Sequence, residues 1–124
     1  MKPKARWKST FRYAAAGIWY SIRTQRNMRV HLSAALLVFA AAAFFRLPPQ
    51  SWVVLLLAIA LVIGLELVNT AIESVVDLVT EEWHPLAKAA KDAAAGAVLI
   101  AALFSVLIGI VLFYHPVLSY FGRA

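Results

Sequence analysis

The stretch SWVVLLLAIALVIGL, Ser51 to Leu65, runs without interruption into ELVNTAIESVVD, Glu66 to Asp77, and its reading decides the fold. The first part is charge-free and apolar, the composition of a helix crossing a bilayer. The second part keeps the helical register but places Glu66, Asn69, Glu73 and Asp77 at spacings of three and four. At roughly 100° per residue the four lie within an arc of about 80°, one narrow stripe. Carboxylates at membrane depth are costly and usually functional.

Upstream, Leu47-Pro48-Pro49-Gln50 supplies a tight turn that cannot continue a helix. From Leu47 to Glu66 is about 28 Å of helix, close to the hydrocarbon thickness, so Glu66 falls near the far interface. Asp77 projects about 16 Å further towards water. A first span precedes the turn, with a charge-free stretch from His31 to Phe45 between Arg29 and Arg46, which are placed to snorkel to the two interfaces. Before it, Trp7, Phe11, Ala14, Ile18 and Ile22 recur at helical spacing among basic residues, the pattern of an amphipathic helix on a membrane surface. Tyr20, Ser21 and Arg23 interrupt the apolar run, which argues against a cleaved signal peptide.

Downstream, the second helix is expected to run to Glu82, where Trp83-His84-Pro85 breaks it. A third span begins near Leu86, is charge-free from Ala93 to Gly122, and has His115-Pro116 near its end. The pattern predicts an all-α integral membrane protein forming a single domain over residues 1–124. It comprises a surface helix over 1–27 and spans over 28–47, 51–82 and 86–114, the second extending into the cytoplasm. Ala93, Ala97, Ala101, Ser105 and Gly109 form a small-residue row that favours close helix approach, and with the polar stripe it points to oligomerisation.

Composition agrees. The chain has 124 residues, 63% of them hydrophobic and 15% charged, and a mean hydropathy of +0.78. That is too apolar for an ordinary soluble domain. With no cysteine, disulfides and thiolate metal sites are excluded. Eight of the twelve Lys and Arg precede residue 30: Lys2, Lys4, Arg6, Lys8, Arg12, Arg23, Arg26 and Arg29. Because this arm leads straight into apolar helices, an anionic inner leaflet is its expected contact and nucleic acid is not. The arm and the 81–92 hairpin with Lys88 and Lys91 share one side, while Arg46 and Arg123 mark the other. The N-terminus is therefore expected in the cytoplasm, in a multi-pass protein of the inner (cytoplasmic) membrane.

Stacked carboxylates repel unless cations intervene, and hard oxygen ligands of this kind suit Mg²⁺, which completes its shell with substrate phosphates. Lys91 and Asp92, at the start of the next helix, are placed to add a cation and another acid. Glu66, set apart at the lipid edge, suits a general base acting on an alcohol. Two other readings remain open at this stage. The stripe could line an oligomer interface, paired with Lys88, Lys91 or Arg side chains, or Glu66 could serve a small cation or drug transporter. Neither GxxxxGK[ST] nor GxGxxG is present, so any nucleotide site is built from helix faces. No zinc site is expected from His31 or His84.

The run Glu66-Leu67-Val68-Asn69-Thr70-Ala71-Ile72-Glu73-Ser74-Val75-Val76-Asp77 resembles the ExxNTAIExxVD signature of the prokaryotic diacylglycerol kinase family. AKAAKDAAAGAV, Ala87 to Val98, resembles its second motif, AKxAKDxAAGAV. The wording HPLAKAAKDAAAGAV and the segment Arg26-Asn27-Met28-Arg29 followed by His31 are similar to the Gram-positive branch, whose members phosphorylate undecaprenol. The resemblance covers essentially the whole chain. It implies a lipid kinase with ATP as co-substrate and Mg²⁺ as cofactor, acting on undecaprenol or, alternatively, diacylglycerol. It also implies a homotrimer with sites shared between protomers.

By that resemblance Glu66 is the proton acceptor and Glu73 a magnesium ligand. Asn69, Asp77, Lys91 and Asp92 surround the nucleotide phosphates, and Glu82, Trp83 and His84 form a hairpin that contacts the nucleotide. Tyr13 and Arg6 match positions near ATP on the surface helix, and Ala95 lies beside the lipid. Gln25 departs from the pattern. Most relatives carry a metal-binding Glu there, and a neutral amide oxygen weakens that contact.

Overall fold

The computed structural model describes residues 6–122, so the basic residues Lys2 and Lys4 and the far-side marker Arg123 lie outside the described residues. The described chain is four helices: α1 (Trp7–Thr24), α2 (Arg26–Phe44), α3 (Pro49–Val79) and α4 (Pro85–Phe121). The last three are long and apolar enough to cross a membrane. The protein is an all-α integral membrane protein with an amphipathic N-terminal helix and three spans.

Gln25 alone separates α1 from α2, in extended conformation with φ −109° and ψ 115°. No Pro or Gly marks this joint, and the sequence pattern extends the surface helix to residue 27, two residues past the break. Arg29 explains the break. It reaches back and its Nη1 donates to the carbonyls of Ile22, at 2.9 Å, and Arg23, at 3.0 Å. These are carbonyls that the last turn of α1 leaves without helical partners, and a cation there also complements the helix dipole.

At its other end α2 closes with Arg46 N–H donating to Ala43 O and Leu47 N–H to Ala42 O, at 3.2 and 3.0 Å. This double bond pattern with a left-handed residue is a Schellman motif, and Arg46 occupies the left-handed position at φ 52°. Leu47 and Ala42, which the motif brings together, are both buried and join Leu55 in the main apolar cluster. Val38, Phe45, Trp52, Leu112 and Phe113 pack around it. Phe39 stacks on Trp52 at 5.7 Å between centroids, and Phe45 meets Tyr120 edge-on at 5.7 Å. This end of the bundle is the anchor from which α3 and α4 run to the opposite face.

Pro49 opens α3 at its first turn, where a missing N–H removes no helical bond. The helix has 31 residues and spans about 46 Å, well beyond a 30 Å hydrocarbon core. It stops at Val79, short of the expected Glu82, because Thr80 turns extended and its Oγ1 accepts the Glu82 N–H at 3.2 Å. This local side-chain turn competes with continued helix. His84 then caps α4, its Nδ1 accepting the Leu86 N–H at 3.1 Å, with Pro85 at the first helical position. The helix continues through Pro116 to Phe121, past the expected end at 114. There Pro116 removes only the bond to the Leu112 carbonyl, close to the end of α4.

In its pairing with the rest of the chain, α4 buries Ala94, Val98 and Ala101. Of the small-residue row, Ala101 is buried, Ala97, Ser105 and Gly109 are half-buried, and Ala93 is exposed. Leu103, Phe104, Leu107, Ile110 and Val111 stay exposed, as suits a helix with lipid or another protein surface beside it.

The left-handed Arg46 yields a stability test. Arg46→Gly removes a conformational penalty of about 1 kcal/mol and should raise the thermal unfolding midpoint in detergent, whereas Arg46→Val should lower it. Equal midpoints for the two variants would mean that the motif does not hold the turn.

Candidate functional site

The buried polar side chains among the described residues are four, Ser21, Glu66, Asn69 and Thr70, and three of them share one segment of α3. Glu66 is 1% exposed, and neither of its carboxylate oxygens has a hydrogen-bond partner among the described residues. The ionisable side chains close enough to act on it electrostatically are His31 of α2 and Glu73 of its own helix. One turn on, Asn69 is buried with its Oδ1 also unpartnered, while its Nδ2 makes a long 3.5 Å contact to Glu73 Oε1.

Thr70 and Ser21 form a clasp that motif reading missed. Thr70 Oγ1 lies 2.9 Å from the Glu66 carbonyl oxygen and 2.9 Å from Ser21 Oγ. A hydroxyl has one proton and a carbonyl only accepts, so Thr70 donates to Glu66 and accepts from Ser21. The signal for Thr70 was its place four residues after Glu66, where a β-hydroxyl can bond back to the preceding turn. Ser21 gave only a polar interruption of an apolar face.

The other half of the stripe faces α4. Lys91 Nζ donates to Asp77 Oδ1 at 2.6 Å, tying α3 to α4 above the apolar region. Asp92 pairs with Lys88 one turn earlier on α4. Asp77 is thus paired with Lys91 inside the chain, with no oligomer interface needed to neutralise it. A recess of about 410 Å³ lies between the two helix ends, and Asp77, Glu82, Trp83, His84, Lys91 and Asp92 all line it. Its size is that of a small-molecule site. Because His84 Nδ1 accepts the Leu86 N–H, its neutral ring carries the proton on Nε2, free to donate elsewhere.

The remaining expected residues stand apart from this recess. Tyr13 is exposed on α1, with the Arg12 guanidinium 5.6 Å from its ring centre, and Arg6 is exposed at the N-cap of the same helix. Ala95 is exposed on α4. Gln25 sits half-buried at the α1–α2 joint, and its side chain makes no hydrogen bond among the described residues.

For a divalent cation the fit can be tested on the donor set. Glu73 offers a half-buried carboxylate and Asn69 an orphaned amide oxygen. Among the described residues no group of three or more His, Cys, Asp or Glu side chains converges. That set does not suit an ion caged by protein. It suits Mg²⁺, which takes one or two protein oxygens and fills the rest of its shell with water and phosphate.

Residues 12–113 match the prokaryotic diacylglycerol kinase family. The chain is 46% identical to the undecaprenol kinase of Bacillus subtilis over 87% of its own length and 88% of the relative's. It is 50% identical to a diacylglycerol kinase of Synechocystis over 89% of its length, spanning 63% of that longer protein. A diacylglycerol kinase of Escherichia coli is 36% identical over 88% of this chain and 89% of the relative.

The unpartnered Glu66 oxygens make a prediction independent of any activity. Replacing a buried, unsatisfied carboxylate by an apolar side chain of similar length, Glu66→Met, should stabilise the fold by about 1–3 kcal/mol. Thermal unfolding followed by circular dichroism in detergent reads this directly. A lower midpoint would show that the carboxylate is partnered in the assembled protein.

Proposed function

Because the chain belongs to the prokaryotic diacylglycerol kinase family and is a lipid kinase, we propose that it transfers the γ-phosphoryl group of ATP to a membrane lipid alcohol at Glu66. The observation that carries this reading is the buried Glu66 carboxylate, without a hydrogen-bond partner among the described residues, at a helix position that residue rise puts near the edge of the apolar layer. A general base must reach the proton that it takes, and an unpartnered carboxylate at the lipid boundary meets that need for a hydroxyl arriving laterally.

In the proposed reaction the nucleotide occupies the recess lined by Asp77, Glu82, Trp83, His84, Lys91 and Asp92 and extends its phosphates along Glu73 and Asn69 towards Glu66. The lipid oxygen loses its proton to Glu66 and bonds to the γ-phosphorus, while the bond to the β-phosphate oxygen breaks and ADP leaves. Lys91 has three N–H donors, so it holds Asp77 with one and keeps others for phosphate oxygens. The His84 Nε2–H adds a donor at the mouth of the recess. Glu73 and the Asn69 amide oxygen, with Gln25 as a weaker neutral contributor, would hold Mg²⁺, which when bound would neutralise charge on the phosphates. Tyr13 and Arg6 of α1 are assigned to the nucleotide side and Ala95 to the lipid side, and both assignments rest on family resemblance.

The recess is open and the apolar face of α4 is uncovered, which supports a homo-oligomer, read here as a trimer whose neighbours complete each site. The charge distribution supports the cytoplasmic membrane, with the N-terminus and the α3–α4 hairpin in the cytoplasm. Undecaprenol is the preferred acceptor, on the motif wording and the Bacillus subtilis relative. Diacylglycerol is the second reading, favoured by the 50% identity to the Synechocystis enzyme.

Purified protein given labelled ATP in mixed micelles should label undecaprenol faster than diacylglycerol, and Glu66→Gln should lower turnover by about 10²–10⁴-fold at saturating substrates. Label in neither lipid would defeat the kinase reading, and wild-type turnover by Glu66→Gln would remove Glu66 as the base. A second outcome concerns the metal. Gln25→Glu should lower the magnesium concentration for half-maximal turnover, and an unchanged requirement would show that Gln25 lies outside the metal's reach.

A further inference from the structure

Ser21 is the single buried residue of α1 and is 0% exposed, although every large apolar residue around it on that helix is exposed or half-buried. A buried serine on an otherwise exposed surface helix needs a reason. The hydrogen-bond order supplies one: Ser21 Oγ–H donates to Thr70 Oγ1, whose own proton goes to the Glu66 carbonyl. The same part of α3 carries a second back-bond, Ser74 Oγ to the Thr70 carbonyl at 2.9 Å. Hydroxyls that bond back to the preceding turn compete with the backbone N–H for the same carbonyl and tend to bend a helix. The Glu66–Ser74 region is therefore the part of α3 whose local geometry depends on an outside anchor, and α1 provides it.

Among the described residues no hydrogen bond holds the Glu66 carboxylate. The direction of its side chain is set by packing, by the charges around it and by the orientation of its own backbone turn. We propose that Ser21 is a positioning residue: acting through Thr70, it fixes the α3 turn that aims Glu66, and so couples the surface helix to the phosphoryl-transfer step. The proposal rests on the lipid-kinase reading above. The joint at Gln25 makes the coupling stiff, because Arg29 closes the end of α1 one turn beyond Ser21. A shift of α1 on the membrane surface then moves Ser21, and with it the turn of Glu66.

The test compares the full-length wild type with Ser21→Ala, Thr70→Val, the double variant and Thr70→Ser, all purified and assayed in mixed micelles. Misplacement of a reacting group by about 1 Å can cost 10²-fold, and loss of one anchoring bond should cost kcat about tenfold. The expected result is that fall in both single variants with the KM for MgATP within twofold of wild type. The double variant should be no worse than either single one, and Thr70→Ser, which keeps the hydroxyl, should recover most of kcat. Wild-type kcat in Ser21→Ala, additive losses, or a loss confined to the KM for MgATP would overturn the proposal. So would a drop in unfolding midpoint with kcat retained in the folded fraction. Amide hydrogen exchange separates this failure from failure of the functional reading. Ser21→Ala should speed exchange across residues 66–74 more than elsewhere in α3, and unchanged exchange would overturn the clasp. A wild type lacking lipid-dependent ATP consumption would instead overturn the kinase reading, and the positioning role with it.

Discussion

Glu66 brings a carboxylate into a helix that must also satisfy the bilayer, and the other buried polar side chains among the described residues, Ser21, Asn69 and Thr70, flank it on α1 and α3. A buried ionisable group without partners is strongly unfavourable, so such clusters persist only where the surrounding structure over-determines them or where function requires them. The surroundings here do both. α1 is pinned to the segment through Ser21, α2 brings His31 alongside, and α4 ties to the far end of α3 through Lys91 and Asp77. Two helices thus meet α3 around Glu66 and Thr70, and the third holds its emergent end at Asp77.

The stability needed to hold that segment comes from the opposite end. Ala42, Leu47 and Leu55 form the cluster built around the Schellman turn, with Trp52 and Phe113 packed against it. From there α3 and α4 rise as a pair, their contact made by small and medium residues such as Ala94, Val98 and Ala101. An anchored base and a polar upper half separate packing from chemistry. Substitution near Leu47 disturbs the apolar cluster, whereas substitution near Asn69 falls among the buried polar residues.

Much of this was legible in the sequence. Charge-free runs ended by Pro48-Pro49 and by Trp83-His84-Pro85 gave the three spans, because apolar length and proline are both strong physical signals. The stripe at three- and four-residue spacing marked the candidate site's axis, and six expected residues, Asp77 among them, line one recess. What stayed hidden were interactions between residues far apart in the chain or made by residues with more than one use. Arg29 could have reached the interface, but it closes α1 and places the break at Gln25. Asp92 pairs with Lys88 on its own helix face. Thr80 stops α3 through a bond to the Glu82 N–H, a local competition that apolar periodicity does not register. The Ser21–Thr70 bond joins residues 49 positions apart, which no local pattern encodes.

The length of α3 ties these observations together. A helix of about 46 Å, entered at Pro49 and crossing about 30 Å of hydrocarbon, leaves about 16 Å of helix beyond the apolar layer. On that count Glu66, about 26 Å from Pro49, falls within a turn of the transition, and Glu73 and Asp77 in the emergent part. In the proposed reaction, a carboxylate moved one turn towards Pro49 would sit in hydrocarbon, out of reach of a nucleotide in the recess that Lys91 and His84 line. Moved one turn towards Val79, it would meet phosphates but no lipid hydroxyl. The Ser21–Thr70–Glu66 hydrogen bonds fall on the turn where both conditions would hold. On the proposed positioning role, a surface helix tied to that turn by Ser21 would have leverage on the chemistry that a contact elsewhere along α3 would not give it.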